Sequence, residues 1–163
     1  MNLSKKCVYS LGLSLSLICS AAIAGKPELT VFGQVEQTKV EGVSEAFSSR
    51  IDTGATTSSI NAVNIDVHKV KGKDYVTFDV PQTNGEAITM KKEVVRWASI
   101  RQAHSEQTTQ RPVIQLEVEI QDQAITAEFS LKDRNHMTYP VLIGRNILSG
   151  RAVVDVAVNS PES

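Results

Sequence analysis

Hydrophobic and polar residues alternate along most of this chain with a period of two. Over residues 113–120, Ile114, Leu116, Val118 and Ile120 take one face, and Gln115, Glu117 and Glu119 take the other. Ile125, Ala127, Phe129 and Leu131 resume the alternation after the polar stretch Gln121-Asp122-Gln123. Two such runs across a short connection predict an antiparallel hairpin. Residues 74–80 predict another strand. The turn after it, residues 81–86, contains Asn84-Gly85, which adopts positive φ at little cost. Residues 88–100 continue as one long strand or two. Helix is scarce, with single turns expected at residues 58–62 and 145–148, the second stopped by Gly150. Many short strands separated by turns make the chain all-β, either sandwich or barrel. There is no internal repeat and no low-complexity tract.

The N-terminus carries a different pattern. Lys5 and Lys6 precede an apolar run over residues 11–23, and Ala22-Ile23-Ala24 offers a small-x-small cleavage site. Residues 1–24 therefore read as a signal peptide, leaving residues 25–163 as one domain in the periplasm or outside the cell, with no stable membrane anchor after cleavage. The run is short for a span of ~20 residues. Both cysteines, Cys7 and Cys19, lie in this segment. The mature chain thus has no disulfide framework, thiol nucleophile or thiolate zinc site. Removing Lys5 and Lys6 takes the formal charge from −1 to −3. That value is too mild to point to nucleic acid or an anionic membrane as partner.

Two segments carry candidate chemistry. One is Arg50-Ile51-Asp52-Thr53-Gly54-Ala55, followed by Thr56-Thr57-Ser58-Ser59. The other runs from Asp133-Arg134 through Tyr139-Pro140 to Leu142-Ile143-Gly144-Arg145-Asn146. An Asp-Thr-Gly led by an apolar residue, paired with a late hydrophobic-hydrophobic-Gly, resembles the retropepsins, single-lobe aspartic proteases that act as homodimers. The wording resembles more closely still a bacterial retropepsin-like family long labelled "ATP-dependent zinc proteases". The likeness covers most of residues 29–156. It implies a pepsin-like lobe: a closed β-barrel with one catalytic loop and one or two short helical turns.

The resemblance also implies a mechanism. Asp52 supplies a catalytic carboxylate, Thr53 locks two catalytic loops across a dimer axis, and Gly54 lets a backbone N–H approach the carboxylate. Ala55 keeps the pocket floor small. Ile143 and Gly144 pack beneath the loop, and Arg145 bridges loop and interface. Two carboxylates held close together cannot both ionise, so they share one proton and activate one water, with no metal or other cofactor. The chain holds one such triplet, so a homodimer with Asp52 from each subunit is expected. The sequence departs from viral retropepsins where Thr56 replaces the acidic partner of the conserved Arg. Asp133, the dimer mate or backbone carbonyls are then expected to partner Arg145. The long stretch between Asp52 and Gly144 implies added strands or an enlarged flap, for which residues 81–87 are the candidate.

Other constellations point to weaker chemistry. His68, His104 and His136 are far apart in sequence, and no His-Glu-x-x-His occurs. No phosphate-binding Gly-x-x-x-x-Gly-Lys-Ser/Thr loop is present either. Ser58 and Ser59 read as a polar cap on a short turn, and Trp97, Tyr75 and Tyr139 as core or rim residues. Lys91, Lys92 and Arg96 form either a solvated strand edge or a basic rim that attracts acidic peptide. Relatives of the resembling family are associated with RimK-type glutamate ligases. Two other readings stay open: a catalytically silent peptide-binding module of the same fold, and a zinc metallopeptidase.

Overall fold

The computed structural model describes residues 28–101 and 108–158. The expected signal peptide and His104 lie outside the described residues. In chain order the elements are β1 (Thr30–Phe32), β2 (Val35–Val40), β3 (Ala46–Ile51), β4 (Ser58–Asn61), β5 (Val63–Val70) and β6 (Lys73–Pro81). There follow β7 (Ala87–Glu93), β8 (Arg96–Arg101), β9 (Thr108–Ile120), β10 (Gln123–Lys132), β11 (Val141–Ile143), α1 (Arg145–Leu148) and β12 (Ala152–Val154).

Six strands close into a barrel in the order β10-β4-β11-β3-β2-β9, because β9 also pairs with β10. The expected all-β, single-lobe closed barrel is therefore the fold, with α1 as its one helical turn among the described residues. The β9–β10 hairpin forms as the alternation predicts. Gln123 pairs with Ile120 across a two-residue turn at Gln121 and Asp122, both with positive φ. Its inward residues Ile114, Leu116, Ile120, Phe129 and Leu131 are almost wholly buried. Each contributes about 1.5–3 kcal/mol through burial.

Two additions flank the barrel. A three-stranded sheet, β5-β6-β7, seats Val76, Phe78 and Val80 on the core. Strand β8 pairs with the first half of β9, Arg96 opposite Val113, and stands outside the closed barrel. Residues 88–100 thus form two strands, β7 and β8. The short parallel pair β1–β12 joins the two ends of the described chain.

The helical turn expected at residues 58–62 is instead strand β4, paired in parallel with β10 and antiparallel with β11. All four of its residues are buried. With both faces covered, period-two alternation vanishes, and its polar residues are satisfied by partners far away in sequence. Ser58 and Ser59 accordingly do not cap a turn.

Candidate active site

The Asp52 loop leaves β3 and enters β4, and the strand after it in space, β11, runs directly beneath. The backbone N–H of Asp52 donates to the Ile143 carbonyl at 2.9 Å. The N–H groups of Gly54 and Ala55 donate to Asp52 Oδ1 at 2.8 and 3.2 Å. A carboxylate bonded this way is fixed in orientation before any ligand arrives. An ideal Cβ on Gly54 would sit 3.1 Å from that same oxygen, so the glycine keeps the approach open.

Gly144 provides the close packing. A Cβ there would meet the Ala55 carbonyl oxygen at 2.9 Å and the Thr57 carbonyl carbon at 3.0 Å, both backbone atoms. From this contact α1 starts, and its first residues hold the loop. The N–H groups of Arg145 and Asn146 donate to the carbonyls of Ala55 and Thr56 at 2.8 and 3.2 Å. Gly150, at φ 76°, follows the helix as expected.

Of the partners expected for Arg145, the structure shows backbone carbonyls and not Asp133. Its guanidinium donates to the carbonyl oxygens of Thr53 and Gly54, each at 3.1 Å, and to Thr56 Oγ1 at 2.9 Å. Asp133 instead accepts from the Asn135 N–H at 2.9 Å. Thr56, which removes the acidic partner, supplies a neutral one. A guanidinium with five donors is satisfied by convergent carbonyl and hydroxyl oxygens as well as by a carboxylate.

Two residues join the loop to the barrel: Ser58, which the sequence suggested as a turn cap, and Asn146, to which it assigned no role. Ser58 Oγ accepts from the Gly144 N–H at 3.0 Å and donates to Asn146 Oδ1 at 2.9 Å. Asn146 Oδ1 also accepts the Ser58 N–H at 2.9 Å, and its Nδ2 donates to the Glu128 carbonyl at 2.8 Å. The position of Asn146 directly after Gly-Arg was the available signal.

A cavity of about 530 Å³ opens beside the loop, lined by Ala55, Thr56 and Thr57 on one side. Strand β8 supplies Arg96, Trp97, Ala98 and Ser99, while Ser59, Arg111, Ser130, Lys132, Arg134 and Leu142 complete the lining. The flap expected at residues 81–87 is not part of it. That turn is fastened to the β2–β3 connection, with the Thr83 N–H on Glu45 at 2.7 Å. The strand covering this side of the loop is β8. Lys91 and Lys92 also lie elsewhere: Lys92 pairs with Glu41 and Lys91 sits over the Tyr75 ring. Trp97 is a rim residue, with Nε1 donating to Asp74 at 3.3 Å.

The cavity is cationic, and no acid lines it among the described residues. Arg96 donates to Glu128 at 2.7 Å and to Thr57 Oγ1 at 3.0 Å, which ties β8 to the loop. Arg134, 6% exposed, donates to Ser59 Oγ and the Tyr139 carbonyl, both at 3.0 Å. Burial pushes its pKa down, and the Asp52 charge opposes that shift. Burial, then the charges of Arg111 and Arg134, push the Lys132 ammonium below its ordinary range. No three of the described His, Asp and Glu side chains gather as metal ligands. His68 stacks on Tyr75 in the side sheet, away from the cavity lining.

Residues 31–160 match the family profile described as RimB-like, retropepsin-like aspartic endopeptidase RimB. The chain is 35% identical over 113 residues to a probable alpha-L-glutamate ligase of Shewanella pealeana, covering 68% of this chain and 24% of that protein. A protein of the same description from Desulfotalea psychrophila is 29% identical over 116 residues, with 69% and 25% coverage. The chain thus spans about a quarter of the length of these curated relatives. Its fold is similar to the crystal structure of a Legionella pneumophila protein of unknown function. The TM-score is 0.68, with 29% identity, covering 81% of this chain and 97% of that one.

Proposed function

We propose, from the premise that this chain belongs to the RimB-like family of retropepsin-like aspartic endopeptidases, that it hydrolyses peptide bonds with a pair of Asp52 carboxylates, one from each subunit of a homodimer. The observation that carries the reading is the Asp52 loop itself. Two backbone N–H groups hold one carboxylate oxygen, and Gly144 packs against the loop backbone from below. Held this way, the carboxylate pays little reorganisation cost during reaction.

In the dimer the two carboxylates share one proton and one water. The ionised carboxylate takes a proton from the water as its oxygen attacks the scissile carbonyl carbon. The protonated carboxylate donates to the carbonyl oxygen. Collapse of the tetrahedral diol breaks the C–N bond, and the amine leaves with a proton returned from the pair. Thr53 and Gly54 organise the loop, Ala55 floors it, and Ile143, Gly144 and Arg145 support it.

The substrate is an acidic peptide. The cation-lined cavity beside the loop supports this, as does the likeness to proteins named for ligation of glutamate. The basic start, apolar run and Ala22-Ile23-Ala24 site support export, so the mature chain begins near Gly25.

Inhibition separates this reading from its rivals. Hydrolysis of a glutamate-rich peptide is expected to stop with a statine-type inhibitor, to persist in EDTA, and to be absent in Asp52→Asn with an unchanged circular dichroism spectrum. Loss in EDTA with recovery on adding zinc would instead identify a metallopeptidase. Binding without turnover by the wild type would identify a silent module.

A further inference from the structure

The loop after β10 presents a methionine beside the cavity. Its backbone is tied down at several points. The Arg134 N–H donates to Asn61 Oδ1 at 2.7 Å, and Asn61 Nδ2 donates to Asn135 Oδ1 at 2.9 Å. The Met137 N–H closes a turn on the Arg134 carbonyl at 2.7 Å. From this frame the Met137 side chain stands 43% exposed, with its sulfur 3.8 Å from Lys132 Nζ. Among the described residues, that thioether is the one hydrogen-bond acceptor of the Lys132 ammonium. Lys132 in turn lines the cavity beside the Asp52 loop. An exposed sulfur therefore touches a cation of the candidate site.

The contact is poorly matched. A thioether sulfur is a weak acceptor, whereas an ammonium carries three donors. Burial and the charges of Arg111 and Arg134 already push the Lys132 pKa below its ordinary range, so this ammonium lacks a strong acceptor. Oxidation of the sulfur supplies one. With hydrogen peroxide, a sulfur lone pair attacks one peroxide oxygen and the O–O bond breaks. The hydroxide that leaves takes the proton from the new S–OH and becomes water, and the oxygen stays on sulfur as a sulfoxide. Sulfur loses two electrons and the peroxide gains them. The product is polar, and methionine sulfoxide reductases reverse it. Its oxygen is carried on an atom already in contact with Lys132, within reach of a charge-assisted N–H···O bond.

The chain has three methionines. Met1 belongs to the expected signal peptide, and Met90 is packed in the core at 8% exposure. Peroxide must reach the sulfur to react, so Met137 is the one attacked first. We propose that Met137 is a reversible oxidation site that governs Lys132. As a thioether it leaves the ammonium to the cavity, and as a sulfoxide it draws the ammonium to itself. The consequence for turnover rests on the peptidase reading above. Oxidation removes one cation from the cavity that receives substrate, so KM rises severalfold. The value of kcat stays, because Lys132 makes no hydrogen bond to the Asp52 loop among the described residues.

The test treats the full chain with hydrogen peroxide and follows it by peptide mass mapping. The rate at which acetic anhydride acylates Lys132 is measured before and after, with the exposed Lys71 as reference in the same sample. Only the free amine is acylated, so an ammonium held by a strong acceptor reacts more slowly. Met137 is expected to gain one oxygen well before Met90, and Lys132 acylation to slow severalfold relative to Lys71. On peptide substrate, KM should rise with kcat unchanged. The two epimer-specific methionine sulfoxide reductases together should restore every value. Met137→Leu, a change at an exposed side chain, should keep its Lys132 acylation rate and its KM through the peroxide treatment. Oxidation of Met90 as fast as Met137 would overturn the assignment of the site. Unchanged Lys132 acylation with Met137 fully oxidised, or the same rise in KM in Met137→Leu, would overturn the link to Lys132. An untreated chain that hydrolyses no peptide would count against the peptidase reading alone, and the Lys132 acylation rate would still decide whether oxidation moves the ammonium.

Discussion

Replacing Gly144 with Ala puts one methyl group where the Asp52 loop meets the strand beneath it. Backbone conformation is not the obstacle, since φ is −102° and an alanine adopts it freely. The obstacle is space. The new Cβ lies 2.9 Å from Ala55 O, 3.0 Å from Thr57 C and 3.2 Å from Ser58 N. These are backbone atoms, so no flexible side-chain end can turn aside. Reaching an ordinary contact of 3.4 Å moves the loop outward by about 0.5 Å. Overpacking of this kind costs about 1–3 kcal/mol, and the stiffer unfolded chain returns about 0.4–1 kcal/mol. The net loss of about 1–2 kcal/mol lowers Tm by about 3–10 °C. A reacting group displaced by ~1 Å can lose about a hundredfold in rate, so roughly tenfold is expected for half that shift. Gly85→Ala is the control. Gly85 has φ 86° and open space around it, in a turn outside the cavity. It should lose comparable stability through its backbone and keep wild-type kcat. Thermal melts and peptide hydrolysis on the three proteins give the answer. If Gly144→Ala matched wild type in both, or if Gly85→Ala lost as much activity, close packing under the loop would not be what positions Asp52.

Two further perturbations probe the surroundings of the site. Arg145→Ala removes three hydrogen bonds to the loop, two of them to carbonyls. The side chain is exposed, so about 1–2 kcal/mol is expected, with kcat reduced and the preference for Glu over Gln peptides unchanged. An unaltered melt and kcat would make Arg145 a surface residue. Lys132→Met should stabilise the fold at neutral pH, because burial and two neighbouring cations lower the Lys132 pKa from 10.5. The folded state holds that proton less tightly than the unfolded state does. Wild-type stability therefore rises as pH climbs from the lowered value toward 10.5, and the advantage of the Met variant narrows over that window. Denaturant midpoints measured on both proteins at neutral and alkaline pH check the sign, and a gap that widens with pH would contradict it.

The parts of this protein visible in its sequence are those where local pattern and fold agree. Residues 113–131 alternate cleanly because one side of the β9–β10 hairpin faces the barrel interior, and its turn needs only two residues. Strand β4 was misread because both its faces are covered. Its serines are satisfied by Asn146, Gly144 and Arg134, more than seventy positions away. Asn84-Gly85 signalled a reversal correctly, but a turn signal says nothing about which surface the hairpin reaches, and it reaches Glu45. The motif placed Arg145 at the loop and left its partner open, since spelling carries no information on which oxygens converge. The cationic lining of the cavity was hidden because Arg111 and Lys132 stand on separate strands, β9 and β10, that the fold sets side by side. The loop of residues 133–140 then sets Arg134 against β4.

The central claim is that catalysis needs one Asp52 from each of two subunits, and mixing tests it most directly. Wild-type and Asp52→Asn chains are combined at fixed total concentration, allowed to exchange subunits, and assayed on a glutamate-rich peptide. A shared pair predicts activity falling as the square of the wild-type fraction, so an equal mixture retains about a quarter of the activity. A linear decline, with half the activity remaining in the equal mixture, would mean that each subunit works alone and would contradict the account.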